Sequence, residues 1–252
     1  MVYPVYATTR NSAGFMTPKL SVTLSRRVFH WAGTSSRRNA PFIVFDDADL
    51  DAAVAGAVAS KFRNSGQTCI CANRILVQDS IHDAFASRLV EAVGCLELGP
   101  LIHGRAVEGV ERLVADAVAS GARVLCGGSR RAVGDNHFAA TVLADVTPGM
   151  ACARREIFGP VAPLIRFAAE EDAIHLANDT PYGLAAYAYT RDGGRCGRLA
   201  ERLKYGIIGL NEAMVSTEVS PFGGMKESGL GREGSKYGID EYLEIKYVCQ
   251  GG

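Results

Sequence analysis

The stretch on which the fold turns is Pro41-Phe42-Ile43-Val44-Phe45, followed by Asp46-Asp47-Ala48-Asp49-Leu50-Asp51-Ala52-Ala53-Val54-Ala55-Gly56-Ala57-Val58. The apolar run reads as a short buried strand. Asp46 and Asp47 then offer a helix N-cap with acidic residues in the first turn, where the helix dipole favours negative charge. Leu50, Val54 and Val58 recur at i, i+4 and i+8 and so share one helical face. A strand that runs directly into an amphipathic helix is the repeating unit of an α/β protein.

The unit recurs along the chain. The first helix gives out at the turn cluster Asn64-Ser65-Gly66. A strand through Arg74-Ile75-Leu76-Val77 leads to Asp79 as a cap and to a helix with Ile81, Phe85, Leu89 and Val93 on one face. Another helix is expected from about Ala106 to Ser120, striped by Val107, Val110, Leu113, Val114 and Val118 and ended by Gly121. Strands follow at 123–126 and near 140–146, 161–167, 184–190 and 207–211, with helices near 169–177 and 194–204. The fold class is therefore α/β, a largely parallel sheet flanked by helices. A last alternating strand, Tyr242 to Val248, needs a partner edge in this subunit or another.

Composition narrows the function classes. The chain has 252 residues, 48% hydrophobic and 21% charged, with 27 basic side chains against 27 acidic. No apolar run approaches the roughly 18–20 residues of a membrane-spanning helix, and a net charge of zero lacks the basic footprint of a nucleic-acid binder. The zero hides an asymmetry: residues 1–38 carry six basic side chains and no acidic one. They also hold ten Ser or Thr and show no sustained period, so no regular element is assigned to them. Seven scattered cysteines do not form a secreted disulfide framework, and neither they nor the five histidines have metal-ligand spacing, so no metal site is expected.

Cys69 stands out first among candidate functional residues. It follows a glycine-containing turn between a helix and a strand, where a side chain can be presented and backbone amides can face an oxyanion; the plain alternative is an inert buried cysteine. Cys71 would point the other way in an extended chain, and burial is its simplest reading. Gly229-Leu-Gly231-Arg-Glu-Gly234 matches G-x-G-x-x-G on paper but lacks the strand before and helix after that a dinucleotide loop requires. Three further segments combine Gly and Pro with charged or aromatic residues at strand ends: 156–160, 178–184 and 220–226.

Phe62-Arg63-Asn64-Ser65-Gly66-Gln67-Thr68-Cys69, Glu156-Ile157-Phe158-Gly159-Pro160 and Pro221-Phe222-Gly223-Gly224-Met225-Lys226-Glu227-Ser228-Gly229 occur in the order and spacing of the aldehyde dehydrogenase superfamily. The resemblance runs from Asn39 to about Cys249, and the tail from Gly229 looks most like the succinate-semialdehyde dehydrogenase branch. It implies that Cys69 is the catalytic nucleophile, passing through a thiohemiacetal and a thioester, with its backbone amide in the oxyanion hole. It implies that Glu156 holds the nicotinamide ribose of NAD or NADP, that Phe158 packs beside the nicotinamide, and that Arg63 and Ser216 bind the distal carboxylate of a small aldehyde substrate. An Arg fork suits a carboxylate.

The departures are as informative. Counting back from Asn39-Ala40-Pro41 puts the family's general-base glutamate at Ser35, and a hydroxyl is no proton acceptor near neutral pH. Leu98-Gly99-Pro100-Leu101-Ile102 looks about ten residues short, and the family's dinucleotide-binding half is expected to be missing. The resulting expectation is a truncated catalytic domain at 39–234, a tail at 235–252 bearing an oligomerisation-type strand, and an unmatched basic segment at 1–38. That segment reads as a transit-like leader, a frame-shifted joint or a disordered arm. The location expected is cytoplasmic, or mitochondrial if residues 1–38 are a transit peptide. The partner expected is a second subunit, in a homo-oligomer or by docking onto a full-length one. The rival reading is a non-catalytic interaction module or a degenerate relic.

Overall fold

The computed structural model describes residues 38–248 and the backbone of two earlier strands, β1 (Val5–Tyr6) and β2 (Lys19–Leu24). The strands that follow are β3 (Ala40–Val44), β4 (Ala72–Gln78), β5 (Arg123–Cys126), β6 (Thr141–Ala144), β7 (Val161–Phe167), β8 (Tyr182–Gly183), β9 (Ala185–Tyr189), β10 (Ile207–Leu210), β11 (Met225–Lys226) and β12 (Leu243–Val248). The α-helices are α1 (Leu50–Phe62), α2 (His82–Gly94), α3 (Gly104–Ala119), α4 (Ala151–Arg154), α5 (Glu170–Asn178) and α6 (Gly193–Arg202).

The backbone forms two compact units. Among the described residues the larger takes 38–216 and Gly223–Leu230. Its seven-stranded sheet has the order β10-β9-β3-β4-β7-β6-β5, parallel throughout except for the antiparallel edge strand β5. The central strand β3 is buried at every position, as expected of a strand covered on both faces. Alternate residues serve opposite layers. Ile43 and Phe45 join Leu76, Leu143, Ile165 and Phe167 in a core shared with Val107, Val110 and Val114 of α3 and Ile174 of α5. Phe42 faces the other way and stacks on Tyr189 with ring centroids 5.0 Å apart. A Cβ on Gly56 would lie 2.0 Å from the Tyr189 hydroxyl, so α1 covers that second layer at closest approach and only glycine fits there.

The smaller unit contains β1, β2, Thr217–Phe222 and residues 231–248. Its sheet has the order β1-β2-β12, with β12 antiparallel to β2 from Leu243↔Leu24 to Val248↔Lys19. One alternative is settled and one expectation changes here. The terminal strand finds its partner edge within this chain, and the segment 1–38, to which no element was assigned, supplies that edge. The pairing is non-local, so no period within 1–38 announces it.

Local details also differ from the sequence reading. The cap of α1 is Asp49, which accepts from Ala52 N at 3.1 Å. Asp47 instead accepts from the Thr190 hydroxyl, from the amides of Arg191 and Asp192 and from Arg195, tying the β3–α1 turn to the start of α6. Asp79 is not a cap; it opens a 3-10 turn, Asp79–Ile81, that leads into α2 without side-chain capping. Val118 is exposed, because the buried face of α3 runs through Val107, Val110, Val114 and Ala117 and leaves position 118 to one side. Gly121 ends α3 with φ +104°, as its position predicts.

Candidate active site

The α1 helix stops in a left-handed reversal. Asn64, Ser65 and Gly66 have φ of +50°, +55° and +76°. Two of the three are not glycine, and each costs on the order of 1 kcal/mol in that region. The turn is held closed by Gln67, whose amide N and side-chain Nε2 both donate to Asn64 O, at 3.0 and 3.1 Å. The same Gln67 side chain accepts from Ile102 N at 2.9 Å, and the Ser65 hydroxyl donates to Gly99 O at 2.8 Å. The 98–102 stretch is therefore the platform on which the Cys69 loop rests.

Cys69 sits half-buried in this loop. Burial pushes its thiol up, and Cys71 and Glu156 add to that; the charge of Arg38 and Cys69's own amide pull the other way. The stretch is a turn rather than a strand, with Cys71 N donating to Thr68 O at 3.2 Å. Cys71 is buried, with Sγ 2.8 Å from the Thr68 hydroxyl.

The second motif lies directly against the first. A Cβ on Gly66 would fall 2.2 Å from Gly159 O, so the two backbones meet at van der Waals distance and no side chain can separate them. Glu156 is half-buried in that loop, and Phe158 is 43% exposed with φ +48°. The loops that enter β3, β4 and β7 thus converge at the amino ends of three adjacent parallel strands. The usual place for a ligand in an open α/β sheet is the carboxyl end. A cavity of about 310 Å³ does lie at the carboxyl end of β9, lined by Asp49, Thr190, Arg191 and Cys196 among others, and no motif residue lines it.

Arg63 is exposed at the end of α1, and its charge acts on Tyr187, as Cys69 does. Tyr187, buried on β9, donates its hydroxyl to Ile70 O at 2.7 Å and so anchors the residue after Cys69. Ser216 is exposed beyond β10, where its neighbour Val215 and the Tyr187 ring both close on Gly209. The structure therefore brings Cys69, Glu156 and Arg63 to one region, while Ser216 lies exposed on the loop that follows β10. Ser35 lies outside the described residues.

Sequence reading missed Lys61, Tyr187 and the buried amides Asn39 and Asn73. Lys61 is 1% exposed, and desolvation pulls its pKa down to about 8 while Cys71 and Glu156 act in the opposite sense. The Gly229–Gly234 stretch is irregular backbone, with φ of +114°, +81° and +66° at its glycines and no α-helix after it.

The family model described as the aldehyde dehydrogenase family matches residues 38–248. The chain belongs to this family. Its enzymes use NAD or NADP. Among aldehyde dehydrogenases of known name, the chain is 59% identical over 223 residues to the mitochondrial succinate-semialdehyde dehydrogenase of Arabidopsis thaliana, covering 84% of this chain and 42% of that one. It is 55% identical over 224 residues to the 3-sulfolactaldehyde dehydrogenase of Pseudomonas putida, covering 85% and 46%. The crystal structure of succinate-semialdehyde dehydrogenase from Burkholderia pseudomallei superposes with a TM-score of 0.83 at 57% identity, covering 84% of this chain and 46% of that one. The chain thus spans less than half the length of the aldehyde dehydrogenases it matches. Among the described residues, no helix is long and apolar enough to cross a membrane.

Proposed function

We propose that this chain is the thiol-bearing catalytic part of an NAD(P)-dependent aldehyde dehydrogenase acting on succinate semialdehyde. The observation that carries the reading is the meeting of the Cys69 and Glu156 loops through Gly66 and Gly159. Cys69, as thiolate, attacks the aldehyde carbon to give a thiohemiacetal, and its own amide donates to the oxyanion. Glu156, a half-buried carboxylate beside an exposed aromatic face at Phe158, fits the hydroxyls of a nicotinamide ribose. NAD or NADP, held at its nicotinamide end by Glu156 and Phe158, would supply the hydride acceptor that this oxidation needs.

Arg63 and Ser216 hold the substrate's distal carboxylate. The exposed guanidinium near Tyr187 supports this, and the 3-sulfolactaldehyde relative shares the same demand, an anionic group remote from the aldehyde. Ser35 cannot take a proton from water as a carboxylate does, so thioester hydrolysis is the impaired step and turnover by this chain alone is very weak. The domain reading is a catalytic domain at 39–234 with a tail at 235–252, and Thr217–Phe222 and residues 231–234 cluster with the unit that holds the tail. Assembly with a second subunit runs through β12, the edge strand of its sheet, which exposes Ile245 and Tyr247. The compartment is the cytoplasm, or the mitochondrion if residues 1–38 act as a leader; the free thiols of the described residues support a reducing one.

The test is substrate protection of Cys69 against iodoacetamide in the purified chain, read by mass spectrometry. Succinate semialdehyde should slow alkylation, and Arg63→Gln should raise the concentration needed by roughly tenfold. No protection at saturating aldehyde, or protection indifferent to Arg63→Gln, would overturn the assignment. NAD(P)H formation at the rate of an intact family enzyme would refute the claim of impaired hydrolysis.

A further inference from the structure

Two asparagines to which sequence reading assigned no role stand 3% exposed at the entries of neighbouring strands, Asn39 just before β3 and Asn73 at the start of β4. Buried amides must satisfy both ends of the group, and here each polar atom has a fixed assignment. Asn73 Nδ2 donates to Asn39 Oδ1 at 2.7 Å and to Arg155 O at 2.9 Å. Asn73 Oδ1 accepts from Ile157 N at 3.0 Å. Asn39 Nδ2 donates to Ala153 O at 2.8 Å, which fixes the orientation of the second amide as well.

The carbonyl of residue 155 and the amide of residue 157 belong to the two peptide groups on either side of Glu156. One side-chain amide pairs with both, as a neighbouring strand would, so the plane of each peptide and the direction of the Glu156 Cα–Cβ bond are set together. Asn73 is four residues from Cys69 on the same segment, and Asn39 four residues from Ser35. We infer that Asn73, oriented by Asn39, is the positioning residue that fixes the Glu156 carboxylate relative to the Cys69 thiol.

The inference rests on the reading that Cys69 and Glu156 share one site. Aspartate at position 73 would turn an acceptor toward Arg155 O and Asn39 Oδ1, and an aliphatic side chain would orphan both Arg155 O and Ile157 N. Asn73 touches neither sulfur nor carboxylate and acts only through the backbone around residue 156.

The test needs neither cofactor nor turnover, so it stands or fails apart from the dehydrogenase assignment. The rate of iodoacetamide reaction at Cys69, located by fragment mass spectrometry, is measured against pH for the wild-type chain, Glu156→Gln, Asn73→Ala and the double variant. The groups that act on the thiol are Arg38 from the lead into β3, Cys71 on its own loop, Glu156 from the loop before β7, and Tyr187 from β9. Glu156 opposes ionisation of Cys69, so Glu156→Gln moves the midpoint to lower pH. Asn73→Ala should move it the same way and add nothing in the Glu156→Gln background.

Ile157 amide exchange should quicken by roughly tenfold in Asn73→Ala, the loss of one buried hydrogen bond. Asn39→Ala leaves both bonds to residues 155 and 157 in place and should give a smaller shift of the same sign; it also serves if Asn73→Ala fails to fold. A midpoint that Asn73→Ala leaves at the wild-type value, a shift additive with that of Glu156→Gln, or a midpoint that Glu156→Gln does not move would each overturn the inference. A purely structural role would lower stability and leave the thiol's pH profile where it is.

Discussion

Replacing Lys61 by methionine tests whether a cation is truly buried near Cys71 and Glu156. The side chain is 1% exposed, and desolvation takes its pKa from 10.5 to about 8 despite the charges of Cys71 and Glu156. In the unfolded chain the ammonium keeps its proton up to the higher value; in the folded chain it releases it near the lower one. Below about pH 8 both states are protonated, and this group gives stability no slope. Between about pH 8 and 10.5 the unfolded state binds the extra proton, so the wild-type chain gains stability as pH rises.

The gain is about 1.4 kcal/mol per pH unit and about 3 kcal/mol over the window. Methionine has similar volume and no charge to desolvate, so Lys61→Met has its greatest advantage near neutral pH and loses it as pH rises. Urea denaturation of both chains from about pH 7 to about pH 10 reads this directly, because other titrating groups are common to both and cancel in the difference. A stability difference that stays flat across that range would show that the folded chain solvates the Lys61 ammonium.

Gly66→Ala should cost about 2–4 kcal/mol in urea denaturation, about 1 for the positive φ and the rest for a methyl set against Gly159 O; a change under about 0.5 would mean the two loops do not touch. Glu170→Gln should be destabilising at neutral pH and nearly silent in acid. Arg198 first, and Arg195 after it, hold this carboxyl at about 2, so its contribution is complete above the ordinary glutamate range and lost as pH falls toward 2. Thermal unfolding at both extremes checks it, and a cost that does not shrink in acid would refute the pairing.

How far the site could be read from the sequence differs residue by residue. Cys69 and Glu156 sit in motifs whose glycines and proline mark irregular backbone; the close approach of Gly159 O explains why position 66 is glycine, and that of the Val110 side chain on α3 why position 159 is. Lys61 could not be read: a lysine in the last turn of a helix is ordinarily solvated, and only the tertiary fold, which leaves it 1% exposed, takes water from it. Asn39 and Asn73 were equally silent, since a buried amide is informative only through partners 34 and 84 residues away. The N-cap of α1 was misplaced by two residues because Asp46, Asp47 and Asp49 are chemically equivalent caps, and Asp47 was taken by the far turn at Thr190.

What the sequence determined by itself was the alternation of strand and helix from Pro41 onward and the family motifs around Cys69 and Glu156, because side-chain periodicity and turn chemistry are local. What only the tertiary structure decided was which end of the sheet bears the site, which strand edge β12 takes, and how the Glu156 backbone is held. Each of those depends on strand order and on contacts between distant segments, which no local pattern encodes.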